Sequence, residues 1–262
     1  LDRDGVYGAP RFHRAATAVG IKAIIGAELT IAPHPSHPSH PTHPTPPTPP
    51  TPLSLRVPVL VSSAEGYRNL CRLITRMKMR APKGEGALTL DELDGHTRGL
   101  IALAGRELLA FQKYGVGGLI DPLVGVFGRD NVYVEIQRHL LRDEDADNRL
   151  LVDVAGAFHV PVLATNGVRF ADPAERPLFD VLTCIHHHTD VASAGRRLVP
   201  NAERYLKSPA QMTELFADCP AAVSNARALA ERLQFTMADL GYRFPQYPVP
   251  AGETQASFLR HL

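Results

Sequence analysis

Five short apolar runs, separated by helical patterns, do most to limit what this chain can fold into. KAIIGAELTIA (22–32), LSLRVPVLVSS (53–63), GLIALAG (99–105), NVYVEIQ (131–137) and VPVLATN (160–166) have the length and composition of strands. Among them, PRFHRAATAVG (10–20), EGYRNLCRLITRMKMR (65–80) and DEDADNRLLVDVAGAFH (143–159) carry helical periodicity. In the last of these, Leu150, Leu151, Val154 and Phe158 share one apolar face. Strand and helix in alternation predict a parallel sheet with crossover helices, open or closed into a barrel. AIIGAEL and VPVLATN suit strands buried on both faces. After residue 170 the strand patterns stop. Asp172, Pro173 and Glu175 open one helix, Ser208, Pro209 and Gln211 open another, and CPAAVSNARALAERLQF follows, so residues 171–262 are expected to be mainly helical.

One stretch interrupts the alternation. PHPSHPSHPTHPTPPTPPTP, residues 33–52, falls after one strand run and before the next. Proline fixes φ near −65° and pushes the preceding residue out of the α region, so polyproline II is the expected conformation. At about three residues per turn, His34, His37, His40 and His43 would line one edge at steps of roughly 9 Å, too far apart for one ion with ligands at about 2.0–2.2 Å. The tract reads as a disordered insertion between the two parts of a β/α unit, 1–32 and 53–170. A histidine-rich metal-storage module is the other reading.

With 262 residues, 44% of them hydrophobic and 21% charged, the chain can bury a large core. No segment is apolar enough to span a bilayer. A net charge of +1 gives no global attraction to nucleic acid, so any DNA contact must come from local patches. Cys71, Cys184 and Cys219 are scattered without paired spacing, which favours a reducing cytoplasm and buried thiols over disulfides or a zinc site. The opening LDRDG reads as a strand end and turn with no earlier element to pair, and ETQASFLRHL starts an amphipathic pattern it has no room to complete. A fragment of a longer protein is the expectation.

Three sets of side chains stand out locally. Arg68, Arg72, Arg76 and Arg80 recur every four residues on one helix face, with Lys78 beside them, and such a stripe can track DNA phosphates or simply face solvent. His186, His187 and His188 are consecutive, and on a helix they splay by about 100° each, which argues against one shared ion. His139 follows the strand YVEIQ and is either a ligand or a hydrogen-bonded loop residue.

Several ordered segments carry a resemblance. LDRDGVYGAPRFHRAATAVGIKAIIGAEL resembles the polymerase and histidinol phosphatase (PHP) domain at the N-terminus of bacterial DNA polymerase III α subunits. The likeness continues through EGYRNLCRLIT, YVEIQRH, VPVLATNGVRFADPAERPLFDVLTCI and LGYRFPQYPVPAGET, where it is greatest to the error-prone members used in damage-induced mutagenesis. It implies an α/β fold: a distorted seven-stranded β/α barrel, here without its first strand and that strand's paired metal-binding histidines, followed by a helical segment.

In metal-active PHP domains, histidines, carboxylates and sometimes a cysteine at the strand ends hold metal ions that activate water against a phosphoester. Glu28 matches a family ligand glutamate. Arg3, in LDRDG, stands where metal-active members commonly have histidine, and Gly167 and Arg169 stand at an aspartate and a histidine ligand. Arg56 falls near another ligand histidine and Arg106 at the ligand cysteine. Arginine stays protonated and has no lone pair to give, so these positions imply a vestigial site with no metal. The arginines either pair with Glu28 and Asp2, replacing the lost positive charge, or point to solvent. The resemblance then implies a structural and interaction platform in a DNA-directed DNA polymerase of replication, repair and translesion synthesis. Its magnesium would lie in the polymerase core, and DNA, that core, a sliding clamp and mutagenesis accessory proteins would be its partners. The rival is a metal-dependent PHP phosphoesterase or 3′–5′ exonuclease, which needs His or Asp at positions 3, 167 and 169.

Overall fold

Strands β1 (Asp2–Arg3), β2 (Gly26–Ile31), β3 (Leu55–Val61), β4 (Leu100–Ala104), β5 (Val132–Gln137) and β6 (Val162–Thr165) pair in chain order into one six-stranded sheet. The structure, a computed structural model, describes residues 1–32, 54–82, 84–109, 118–241 and 248–261, and the His/Pro tract at 33–52 lies outside them. All five expected strand runs form strands. Among the described residues no pairing joins β6 back to β1, so the sheet is an open form of the expected β/α barrel.

The sheet is mixed, which corrects the expectation of an all-parallel one. β1–β2, β4–β5 and β5–β6 are parallel, but β3 runs antiparallel to both β2 and β4. The return path decides this. Helix α2 (Ala64–Met79) leads away from the end of β3, and the segment through α3 (Leu90–Leu93) leads back to the same end, where Leu100 lies opposite Val61. A strand that starts where its neighbour stopped must run the other way.

Local chemistry accounts for the helices. Helix α1 (Ala9–Ala18) has proline in its first turn, where a missing N–H costs nothing. Ser63 caps α2, its hydroxyl accepting from the Gly66 N–H at 3.1 Å. Leu70, Leu73 and Met77 form the helix's fully buried stripe, each contributing about 1.5–3 kcal/mol by leaving water. Helix α4 (Ile120–Phe127) buries Ile120, Leu123 and Phe127. Helix α5 (Glu144–Phe158) turns a slightly different face inward than the sequence suggests: Leu151, Val154 and Ala155 are buried while Leu150 is 40% exposed.

The C-terminal part is helical, with α6 (Arg176–His186), α7 (Val191–Ala194), α8 (Pro209–Leu215), α9 (Pro220–Arg232) and α10 (Gln255–His261). Ser208 and Gln211 form the expected capping box at α8. Asp172 caps a short 3-10 turn, Pro173–Glu175, just ahead of α6, and Glu175 accepts from the Ala171 N–H rather than from that of Asp172.

The two faces of the sheet have different roles. On one, Ala27, Leu29, Val57, Val59, Val132 and Val134 join the buried stripes of α2, α4 and α5 in the main core, to which Phe216 and Phe235 also belong. On the other, Leu60, Ile101, Leu103 and Leu163 meet Leu229 of α9 and Leu233 just past its end in a smaller cluster. Beyond this apolar plug the sheet turns polar, toward the C-terminal ends of β5 and β6, where α/β folds commonly place their sites.

Candidate functional site

A cleft of about 1220 Å³ opens at that polar end. Strand alternation supplies its floor: Glu28 from β2, Glu135 and Gln137 from β5, and Thr165 from β6. The Thr165 hydroxyl accepts from Gln137 Nε2 at 3.1 Å and donates to Glu135 Oε1 at 2.6 Å. Desolvation holds the Glu135 carboxyl above the usual carboxylate range, and the nearby Glu28 charge adds to the effect. Arg169 approaches Glu28, with Nη2 3.7 Å from Oε1.

Gly167 and Arg204 explain each other. Gly167 has φ +49, and a Cβ there would lie 2.7 Å from both Arg204 Nη1 and Gln137 Oε1. The Arg204 guanidinium therefore occupies the space that a side chain at 167 would enter. A loop brings it there: Asn166 Nδ2 donates to the carbonyls of Glu203 (2.9 Å) and Tyr205 (2.6 Å), and the Arg169 N–H donates to the Arg204 carbonyl at 2.8 Å. Burial, then the positive charge of Arg169, lowers the pKa of Arg204 from its ordinary value.

Beside the cleft sits a buried latch. His139 and Glu144 are 2% and 5% exposed. Glu144 Oε1 lies 2.8 Å from His139 Nδ1, and its Oε2 accepts from the N–H groups of His139 (2.6 Å) and Leu141 (3.0 Å). His139 Nε2 meets the Asn166 carbonyl at 3.0 Å. His139 is thus a hydrogen-bonded loop residue that ties the start of α5 to the end of β6.

The other sequence candidates are dispersed. Arg3 pairs in register with Glu28 and lines the cleft, but its ion pair is with Asp4, at 3.6 Å. Asp2 does not line the cleft: its Oδ2 accepts from the Gly8 N–H at 2.6 Å, so it is no partner for these arginines. The neighbouring residues of a strand face opposite ways, and this separates Asp2 from Arg3. Arg56 and Arg106 both line the cleft, Arg106 in an ion pair with Asp147. His186 and His187 lie at its rim, their rings edge to face at 4.8 Å. The α2 stripe lies elsewhere and is divided. Arg80 pairs with Glu92, and Arg76 lies 3.1 Å from His96 Nε2, while Arg68 and Arg72 are exposed.

Among the cleft residues that sequence reasoning missed are Glu135 and Arg204. Glu135 left a signal, a carboxylate in the alternating strand VYVEIQ on the same face as Gln137. Arg204 left none, since it comes from a loop far downstream. Among the described residues no group of three or more His, Cys, Asp or Glu is arranged to hold a metal ion. The donor set agrees: Glu28 and Glu135 are surrounded by arginines, which cannot ligate. No described helix is long and apolar enough to cross a membrane, and the three cysteines are free thiols.

The PHP domain family matches residues 1–139. An error-prone DNA polymerase of Mycolicibacterium paratuberculosis is 34% identical over 277 aligned residues, covering 100% of this chain and 24% of that protein. One from Bradyrhizobium diazoefficiens is 36% identical over 203 residues, covering 75% of this chain and 17% of that protein. A DNA polymerase III subunit alpha of Xylella fastidiosa is 33% identical over 269 residues, covering 99% and 21%. The chain thus spans about a fifth of the length of these curated relatives.

Proposed function

Since the chain belongs to the PHP-domain family, among the DNA polymerase III α subunits and error-prone DNA polymerases, we propose that it is a metal-free structural and interaction platform for a polymerase core. The observation that carries this reading is the Arg204 guanidinium beside Gly167, together with Arg169 at Glu28. Positive charge fixed by covalent bonds, at positions where the resemblance implies metal ligands, supports a site that needs no ions. An exposed apolar stripe on α6, made by Leu178, Val181, Leu182 and Ile185, supports the interaction role.

The parent enzyme would transfer nucleotidyl groups to a primer on DNA in damage-induced translesion synthesis and repair, in the cytoplasm, with magnesium held in its polymerase core. A sliding clamp and mutagenesis accessory proteins would be further partners, and exposed Arg68 and Arg72 would offer phosphate contacts.

A metal-dependent phosphoesterase or exonuclease remains the rival, favoured by the nearness of Glu28 and Glu135. Elemental analysis of purified chain, with assays on a phosphomonoester and on single-stranded DNA 3′ ends, separates the two. We expect no stoichiometric metal and no hydrolysis. Two or more bound zinc or manganese ions, with activity abolished by Glu28→Ala, would overturn the metal-free reading.

A further inference from the structure

We propose that His139 holds a proton on both ring nitrogens, and that the second proton clamps the loop carrying Arg204 onto the end of β6. The ring faces an acceptor on each side. Its Nδ1 lies 2.8 Å from Glu144 Oε1 and its Nε2 lies 3.0 Å from the Asn166 carbonyl oxygen. A neutral imidazole has one N–H and one lone pair, so it satisfies one of these oxygens and sets a lone pair against the other. His139 is 2% exposed, and bulk water cannot relieve such a mismatch. A proton on each nitrogen satisfies both contacts.

The geometry places that proton on the ring rather than on Glu144. Glu144 Oε2 already accepts from the N–H groups of His139 at 2.6 Å and Leu141 at 3.0 Å. Burial works against the charge, but the hydrogen bonds from Leu141 and His139 outweigh it and hold the carboxyl below its ordinary pKa. Other charges on the adjoining segments are engaged elsewhere or exposed. Arg138 pairs with Asp218 and Asp145, Glu203 pairs with Lys207, Glu135 accepts from Thr165, and Arg142 and Asp143 are exposed. Arg204, which also interacts with Glu144, is a cation and opposes the charged ring, but without the direct hydrogen bond that Glu144 makes.

Two amides fasten residues 201–205, and both hang on His139. Asn166, whose carbonyl receives Nε2, donates from Nδ2 to the carbonyls of Glu203 (2.9 Å) and Tyr205 (2.6 Å). Asn201 donates from Nδ2 to the His139 carbonyl at 2.6 Å, and its Oδ1 accepts from the Glu203 N–H at 3.1 Å. Asn166 Oδ1 is buried without a partner among the described residues, so the bonds from Nδ2 alone fix that side chain. When the second proton leaves, the charge-assisted bond to Glu144 keeps the remaining N–H. Nε2 then turns a lone pair toward the Asn166 carbonyl, Asn166 shifts, and Arg204 loosens over the cleft as the pH rises. The proposal goes beyond the platform reading and stands or falls independently of it.

The test uses the 262-residue chain with ¹⁵N-labelled histidine rings, the His139 signals being assigned by their loss in His139→Gln. Ring N–H correlations distinguish the doubly protonated ring from either neutral tautomer. They would be followed upward from pH 6 until the second proton leaves, alongside hydrogen–deuterium exchange of residues 201–206 corrected for the intrinsic effect of pH. We expect both nitrogens to be protonated at pH 7. Protection of 201–206 should fall about tenfold as the proton leaves, the size of losing one buried hydrogen bond, while α2 stays protected. Asn166→Ala keeps the carbonyl facing His139 but removes both amide donors, so it should leave the ring doubly protonated and abolish the pH dependence of the loop. A singly protonated ring at pH 7 overturns the proposal, and the wild-type chain alone decides that. Loop protection indifferent to the proton, loosening of the whole fold together with the loop, or a pH dependence that survives Asn166→Ala overturns it as well.

Discussion

Arg169 reaches across the cleft to Glu28, Nη2 standing 3.7 Å from Oε1, with side-chain exposures of 37% and 19%. The pair is in contact but partly wet, so solvent screens it. A double-mutant cycle of Arg169→Ala and Glu28→Gln should give a coupling of about 0.5–1 kcal/mol, near the top of the range for exposed pairs. Arg204, which Arg169 repels, reduces the cost of losing Arg169. Strict additivity in chemical denaturation would show that the two residues do not interact in solution.

Gly66 and Gly99 bring two backbones together where α2 crosses the start of β4. A Cβ on Gly66 would lie 1.9 Å from the Gly99 carbonyl oxygen, and backbone cannot rotate aside. Gly66→Ala should cost about 3 kcal/mol or more, at the upper end of overpacking effects. Gly20→Ala, at φ +70 but with nothing within 4 Å, should cost only the left-handed backbone penalty of about 1 kcal/mol. Equal losses at the two positions in urea unfolding would contradict the close approach.

Arg80 and Glu92 join α2 to α3, Arg80 Nη2 lying 2.7 Å from Glu92 Oε2. The Arg80 guanidinium holds the Glu92 carboxyl at about 2, well below the usual carboxylate range. The folded value is depressed, so the stabilisation is present above the unfolded value of about 4.3 and is lost as pH falls toward about 2. Arg80 is 44% exposed, and screening reduces the contribution to roughly 1 kcal/mol. Arg80→Ala should be less stable at pH 7 by that amount and lose less on acidification, as read from urea midpoints between pH 7 and pH 3.

The His139–Glu144 latch should be more sensitive than either of the two wetter ion pairs, Arg169–Glu28 and Arg80–Glu92. Burial tends to raise the Glu144 pKa, but hydrogen bonds from Leu141 and His139 outweigh it, and the folded value ends below the ordinary one. Its stabilisation is therefore complete above about pH 4.3 and disappears as pH falls through the lower folded value. Glu144→Gln should cost about 2–3 kcal/mol at pH 7, because one carboxylate oxygen facing His139 or the backbone becomes an NH₂ group. The gap to wild type should narrow in acid, and a gap unchanged at pH 3 would count against an ionised Glu144.

Part of the cleft was legible in the residues. Glu28, Arg3 and Arg169 could be placed from their motifs, while Glu135 was missed although it left a signal in the alternating strand VYVEIQ. Asp2 was misplaced because the face it takes depends on the turn to Gly8, which no periodicity announces. The arginine stripe on α2 was correctly helical, but its division between Glu92, His96 and solvent depends on where α3 docks.

By itself the sequence determined the five strand runs, the three long helices before residue 160 and the Ser208–Gln211 capping box, because patterns of period 2 and 3.6 and cap chemistry act over a few neighbouring residues. Tertiary structure alone decided that β3 runs against both its neighbours and that Arg204 fills the space beside Gly167. Strand direction depends on where a connection returns, and the Arg204–Gly167 approach on a loop laid across the end of β6 by Asn166. Both are relations between distant segments, set by packing rather than by the local preferences of either segment.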